Sequence, residues 1–199
     1  PISPFWVKPY LEYLAAEKEY RTEHAVYHHD LKPDIEGVET SWGNLTYTVT
    51  TNKYGFKSSN EFLSDSEYAK TVLFIGDSFT EGVGYPFDTT FAGRIAKKLR
   101  KPNIRLLNAG VCSYSPVIYW RKIAHILSRA KIHFDEVVVW IDISDIDDEI
   151  TLYSLGQDSS VLERSNGSED KAGQMVQPVK KPLSGVRGLL KKHTLAGYA

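Results

Sequence analysis

The chain has one cysteine, Cys112, one methionine and no apolar run near the ~18 residues that a membrane span needs. A lone cysteine excludes an internal disulfide but leaves the compartment open. With no such run, no membrane span is expected within this sequence. No signal-peptide pattern is present, and the chain opens on Pro1-Ile2-Ser3-Pro4 rather than Met. The expectation is a trimmed start, with export or membrane anchoring through a removed N-terminal segment. An excess of one charge is also missing. Twenty-four basic residues face 25 acidic ones, for a net charge of −1, which argues against a general binder of nucleic acid or anionic membrane. No internal repeat is present. What the chain does have is 199 residues, 42% of them apolar, enough for one sizeable core. It also has 12 Tyr and 4 Trp, which fill space when buried and stack on sugars when exposed.

The most informative stretch is Thr71-Val-Leu-Phe-Ile-Gly-Asp-Ser-Phe-Thr-Glu-Gly82. Val72 to Ile75 form a continuous apolar run that ends in turn residues, the pattern of a parallel strand covered on both faces. The turn would carry the Ser78 hydroxyl to the carboxyl end of that strand, the edge where open α/β sheets bind ligands. A helix is expected over residues 89–100. Ser78 is therefore the candidate nucleophile. The competing reading is an ordinary turn, since Asp and Ser are common caps. The spacing is not the G-x-S-x-G elbow, because Thr80 occupies the second glycine position.

Upstream, residues 4–20 read as a helix with a bulky aromatic face. Residues 21–66 have no helical period and form an extended lead-in. Within it, His28-His29-Asp30 reads as a polar turn. Tyr47, Val49 and Thr51 alternate with threonines as a half-exposed strand. Gly55 is expected at a special backbone angle. The two histidines lack partners at metal-ligand spacing, so no metal is expected there. Downstream, residues 101–110 read as a second strand ending at Gly110. Ser115-Pro116 starts a helix running to about Ala130, on which His125 is structural. Residues 134–143 form a third strand ending in Asp142-Ile-Ser-Asp145. Asp147-Asp148-Glu149 reads as a solvated face or helix cap, with Mg²⁺ or Ca²⁺ binding as the alternative. Residues 156–182 are poor in apolar side chains and read as a flexible insertion. A further helix is expected over residues 183–195. The alternation of strands and helices predicts an α/β domain at 67–199 with a mostly parallel sheet. Ser78, Gly110 and Ser144 should meet at one edge of it.

These three strand ends give the chain its resemblance to the SGNH hydrolases, the GDSL-type esterase superfamily. Gly76-Asp77-Ser78-Phe79-Thr80-Glu81-Gly82 resembles the first block, which carries the nucleophile. Asn108-Ala109-Gly110 resembles the second, whose glycine supplies an oxyanion N–H. Asp142-Ile143-Ser144-Asp145 stands where Gly-x-Asn-Asp is expected, with Ser144 in place of the Asn and Asp142 in place of the Gly. Thr51-Asn-Lys-Tyr-Gly-Phe56 looks like the lead-in of bacterial members with an N-terminal extension. The likeness spans residues 46–149. It implies a three-layer α/β/α, flavodoxin-like fold and acyl transfer through Ser78. The oxyanion hole would be Ser78, Gly110 and Ser144, with Asp77 and Asp145 as supporting residues and no cofactor. The substrate would be a small-molecule or carbohydrate ester, with Tyr114 and Tyr119 lining its groove. The Asp-x-x-His block that supplies the family's base has no counterpart. The base is therefore expected beyond Ala199, and this chain alone is expected to be inactive. The rival reading is a non-catalytic ligand- or carbohydrate-binding module on the same fold.

Overall fold

A computed structural model describes residues 16–62, 68–130 and 132–164 of the chain. Of the expected N-terminal helix only residues 16–20 fall in that range, and they are helical (α1). The helix expected over 183–195 lies outside the described residues.

The chain first forms a hairpin of β1 (Arg21–His24) and β2 (His28–Leu31). His28-His29-Asp30, expected as a polar turn, is instead strand, and Asp30 and Leu31 are buried. The local composition is polar, but Asp30 has a buried cationic partner, Lys122. Next come β3 (Val38–Trp42), β4 (Leu45–Thr51) and β5 (Lys57–Ser58). β6 (Lys70–Ile75), β7 (Ile104–Asn108) and β8 (Glu136–Val139) complete a six-stranded sheet ordered β3-β4-β5-β7-β6-β8. The alternation expected in β4 is present: Tyr47, Val49 and Thr51 are buried, and Thr46 and Thr48 are exposed. Gly55 has φ +77°, and a Cβ there would stand 2.4 Å from the Leu31 carbonyl oxygen, so only glycine fits that turn.

The sheet is mixed, which corrects the expectation of a mostly parallel one. β7 and β8 flank β6 in parallel, as expected, but β3–β4, β4–β5 and β5–β7 are antiparallel. The cause is the lead-in. It does not stand apart but adds strands to the free edge of β7, so the sheet crosses the expected boundary at residues 66/67. The described residues fall within one compact unit.

Both faces of β6 are covered. Val72 and Phe74 pack with Ala92 and Ala96 of α3 (Phe91–Leu99). Leu73 packs on the opposite face with Leu107 and Ile126, and Ile75 packs with Ile118 and Tyr119 of α4 (Pro116–His125). Successive strand residues point to opposite faces, so a continuous apolar run is what a strand between two helical layers requires. α2 (Ser78–Glu81) is a single turn directly after β6, and α5 (Ile143–Thr151) follows β8. Ser115 has the extended backbone of an N-cap but makes no side-chain cap. Instead Glu149 of α5 accepts from Val117 N–H at 2.9 Å and from Ser115 Oγ at 2.7 Å. After His125 the chain widens into a π-helical turn, Ile126–Ala130. Part of the expected flexible insertion is ordered: β9 (Tyr153–Leu155) and β10 (Val161–Glu163) form a hairpin. Its Tyr153 and Val161 are buried in the core, and this apolar anchoring outweighs the polar composition around it. Among the described residues, no helix is long and apolar enough to cross a membrane.

Two buried ion pairs tie the lead-in to the rest. Lys122 Nζ, fully buried, donates to Asp30 Oδ1 at 2.7 Å, to the Ala109 carbonyl at 3.0 Å and to Tyr114 Oη at 3.1 Å. Arg21 grips both oxygens of Glu81, each at 3.0 Å, and the Cys112 N–H adds a third bond at 2.6 Å. Burial alone would push the Glu81 carboxyl upward. Arg21, Lys57 and these hydrogen bonds outweigh it and hold the group below the usual glutamate value. A depressed carboxyl stabilises the fold above its unfolded pKa, and that contribution is lost as pH falls through the folded value. Denaturant unfolding across acidic pH should therefore show stability falling with pH in the wild type and a flatter curve for Glu81→Gln. Arg21→Ala, which strands the buried carboxylate, should cost about 3–5 kcal/mol at neutral pH.

Candidate active site

The carboxyl ends of β6, β7 and β8 define the site. Ile75 of β6 lies in register with Val139 of β8, and the chain leaves these neighbours through Gly76-Asp77 and Trp140–Asp142. Val111 N–H donates to the Gly76 carbonyl at 3.1 Å, which brings the end of β7 to the same place.

Asp77 is the N-cap of α2, with Oδ1 accepting from Phe79 N–H at 3.0 Å. Ser78 is the first residue of that helix and is half-buried, and its Oγ donates to Asp77 Oδ2 at 3.4 Å. Its backbone N–H is one of the first-turn donors that helix geometry leaves without an intrahelical acceptor. The turn closes at Gly82, whose N–H bonds back to the Ser78 carbonyl. Gly110 packs against this turn from β7. A Cβ at Gly110 would lie 2.6 Å from Thr80 Cγ2 and 2.7 Å from Thr80 Cβ. The Gly110 N–H donates to Asn108 Oδ1 at 3.3 Å, a long bond. Asn108 in turn donates to the Thr80 carbonyl at 2.8 Å. Asn108 thus links the second block to the first, a role that its place beside Gly110 in the sequence did not reveal.

Ser144 lies near the start of α5, exposed, and both its N–H and its Oγ donate to Asp142 Oδ1, at 2.8 and 2.6 Å. Its hydroxyl proton serves the cap of its own helix, and no hydrogen bond joins it to Ser78 or Gly110. Asp142 is that N-cap, and Asp145 completes a capping box with it. Asp145 is fully buried. Its Oδ2 accepts from Asp142 N–H and Tyr119 Oη, each at 2.7 Å, while Oδ1 has no partner among the described residues. Burial raises the Asp145 carboxyl. Burial, and then the nearby Asp145, likewise raise Asp77. The site edge therefore gathers the carboxyls of Asp77, Asp142 and Asp145.

Tyr114 and Tyr119 do not line a groove. Both are buried, Tyr114 donating to the His29 carbonyl at 2.7 Å and Tyr119 to Asp145. The groove beside Ser78 lies on the other side, where the β3–β4 hairpin meets the segment after α2. It is a cavity of about 520 Å³ lined by Trp42, Phe79, Val83, Tyr85 and Phe91. The signal in the sequence was two aromatic residues, Phe79 directly after Ser78 and Tyr85 directly after Gly84. Trp42 could not be connected to them without knowing the pairing of β3.

The histidines serve other ends. His29 Nε2 pairs with the Cys112 carbonyl at 2.8 Å, and burial lowers its pKa to about 4. His125 packs edge-on against His24 and Tyr27. No histidine among the described residues hydrogen-bonds Ser78. The described residues also hold no group of three or more His, Cys, Asp or Glu suited to a metal ion. Neither a family model nor a curated protein matches the chain.

Two substitutions test this arrangement. Gly110→Ala should destabilise the protein by about 1–3 kcal/mol, because the added methyl must displace the buried Thr80. Asp145→Ala should cost a similar ~1–3 kcal/mol by removing the capping-box acceptor of Asp142 N–H and leaving Tyr119 Oη only its 3.3 Å bond to the Tyr114 carbonyl. Asp145→Asn, which can still accept both bonds, should melt close to the wild type.

Proposed function

We propose that the chain is an O-acyl esterase or acyltransferase domain of the SGNH, GDSL-type class, working through a Ser78 acyl-enzyme. The observation that carries this reading is the position of Ser78. Its hydroxyl stands half-exposed at the carboxyl end of β6, the middle strand of the parallel trio, on the wall of a groove and one turn from the Gly110 contact. The parallel trio β7-β6-β8, with helices on both faces, supports the flavodoxin-like SGNH fold, to which the lead-in adds antiparallel strands.

In this reading Ser78 Oγ bonds to the ester carbonyl carbon as its proton passes to a base. The backbone N–H groups of Ser78 and Gly110 hold the resulting oxyanion. For Gly110 this means exchanging its long bond to Asn108. The alcohol leaves with the proton, and water or a second hydroxyl then takes the acyl group. One oxyanion donor is worth about 3 kcal/mol of barrier, a hundredfold or more in rate. The reaction needs a general base at Ser78 Oγ, which in this class is a histidine. An acylated small molecule or carbohydrate is the substrate class.

The second reading is a binding module on the same fold. It is favoured by the commitment of the Ser144 hydroxyl to Asp142 and by the lack of a histidine bonded to Ser78 among the described residues. The full-length protein and its Ser78→Ala variant separate the two. Hydrolysis of nitrophenyl esters and covalent labelling by a fluorophosphonate, both abolished in Ser78→Ala, are expected of the esterase. Equal rates in both proteins would remove Ser78 from the chemistry. Ligand binding without labelling would favour the module.

A further inference from the structure

The groove beside Ser78 has a composition that selects its ligand. Its walls are Trp42, Phe79, Val83, Tyr85 and Phe91, and among the described residues no charged side chain lines it. Phe79 is 68% exposed and Tyr85 51%, an unusual amount of aromatic surface to leave open beside a reactive hydroxyl. Both threonine hydroxyls in the wall are spent. Thr89 Oγ1 donates to the Pro86 carbonyl at 2.9 Å, and Thr90 Oγ1 donates to the Phe87 carbonyl at 2.7 Å while accepting from Gly93 N–H. A sugar in this groove would find few donors or acceptors for its hydroxyls, and unpaired polar groups are costly to bury. An alkyl chain would need none. The volume of about 520 Å³ lies within the ~300–1,000 Å³ of small-molecule sites.

The groove is also held open by design of the chain. Lys57 Nζ, buried beneath it, donates to the Gly82 and Tyr85 carbonyls, each at 2.9 Å, and fixes the loop that carries Val83 and Tyr85. On the opposite wall, the β3–β4 hairpin leans onto the same loop: a Cβ at Gly84 would lie 3.4 Å from Leu45 Cδ1 and 3.8 Å from Trp42 Cβ.

We propose that this groove, between the tip of the β3–β4 hairpin and the loop after α2, binds an uncharged alkyl acyl chain of medium length with its carbonyl end at Ser78. As an assignment of the acyl group it rests on Ser78 being the nucleophile; as a binding site it does not. Each buried methylene is worth roughly a fourfold gain in affinity. In the full-length protein, kcat/KM on nitrophenyl esters should therefore rise about tenfold or more from acetate to octanoate. Trp42→Ala and Tyr85→Ala should each cut octanoate turnover about tenfold and lower the octanoate-to-acetate ratio of kcat/KM. Unchanged circular dichroism would exclude misfolding. Loss of acetate and octanoate turnover in equal measure, or indifference to chain length, overturns the proposal while leaving the esterase reading intact.

Binding is read separately by calorimetric titration of octanamide into the Ser78→Ala protein. Saturable binding that the added Trp42→Ala change abolishes supports the groove even if no ester is hydrolysed. No binding of octanamide, or binding of a methyl glycoside in its place, overturns it.

Discussion

The carboxylate of Glu81 is the interaction on which the rest of this structure depends. It lies three residues after Ser78, sealed from solvent, and receives the Arg21 guanidinium from the lead-in and the Cys112 N–H from the segment after β7. A buried charge is tolerable only when its lone pairs are fully occupied, so the three segments must assemble together or not at all. The single turn that holds Ser78 would be marginal alone, since four helical residues cannot repay the cost of nucleation. Its stability is borrowed from this carboxylate below and from the Asp77 cap above.

A second constraint is the pairing of Lys122 with Asp30 behind the sheet. The ammonium also holds the Ala109 carbonyl, next to Gly110, so the backbone of the second block is fixed from the rear by a charge. The polar interior is extensive for a domain this small, and its two buried ion pairs each have specific hydrogen-bonding neighbours. Such networks add less to net stability than to uniqueness of arrangement.

Much of the central architecture was legible in the sequence. Val72 to Ile75 announce a doubly covered strand because both side-chain parities are apolar, and the helices before and after β7 fall within the stretches expected at 89–100 and from Ser115-Pro116 onward. The antiparallel half of the sheet was not legible. The alternation of Tyr47, Val49 and Thr51 shows a strand with one buried face, but local pattern carries no information on which edge it joins. The β9–β10 hairpin was hidden for a related reason: two anchoring side chains, Tyr153 and Val161, are too few to stand out from polar surroundings. Ser78, Gly110 and Asp145 were recognisable as candidates by motif and order. The engagement of the Ser144 hydroxyl with Asp142 was not, because a serine two residues after an aspartate reads equally as cap partner or as donor to a ligand. Tyr114 and Tyr119 misled for the opposite reason: their composition suggested a surface, and their hydroxyls found buried acceptors instead.

The capping of α4 by Glu149 has a mechanical consequence. Helix starts are usually satisfied by a residue a step or two away, but here the acceptor comes from another helix, and a second tether, Tyr119 to Asp145, joins the same two helices one turn further along. Two tethers fix both spacing and rotation, so α4 and α5 behave as one lever. The loop from Gly110 to Ser115 feeds one arm of that lever and the segment bearing Ser144 begins the other. A displacement at either end is thereby transmitted to the opposite side of the rim formed by the strands' carboxyl ends.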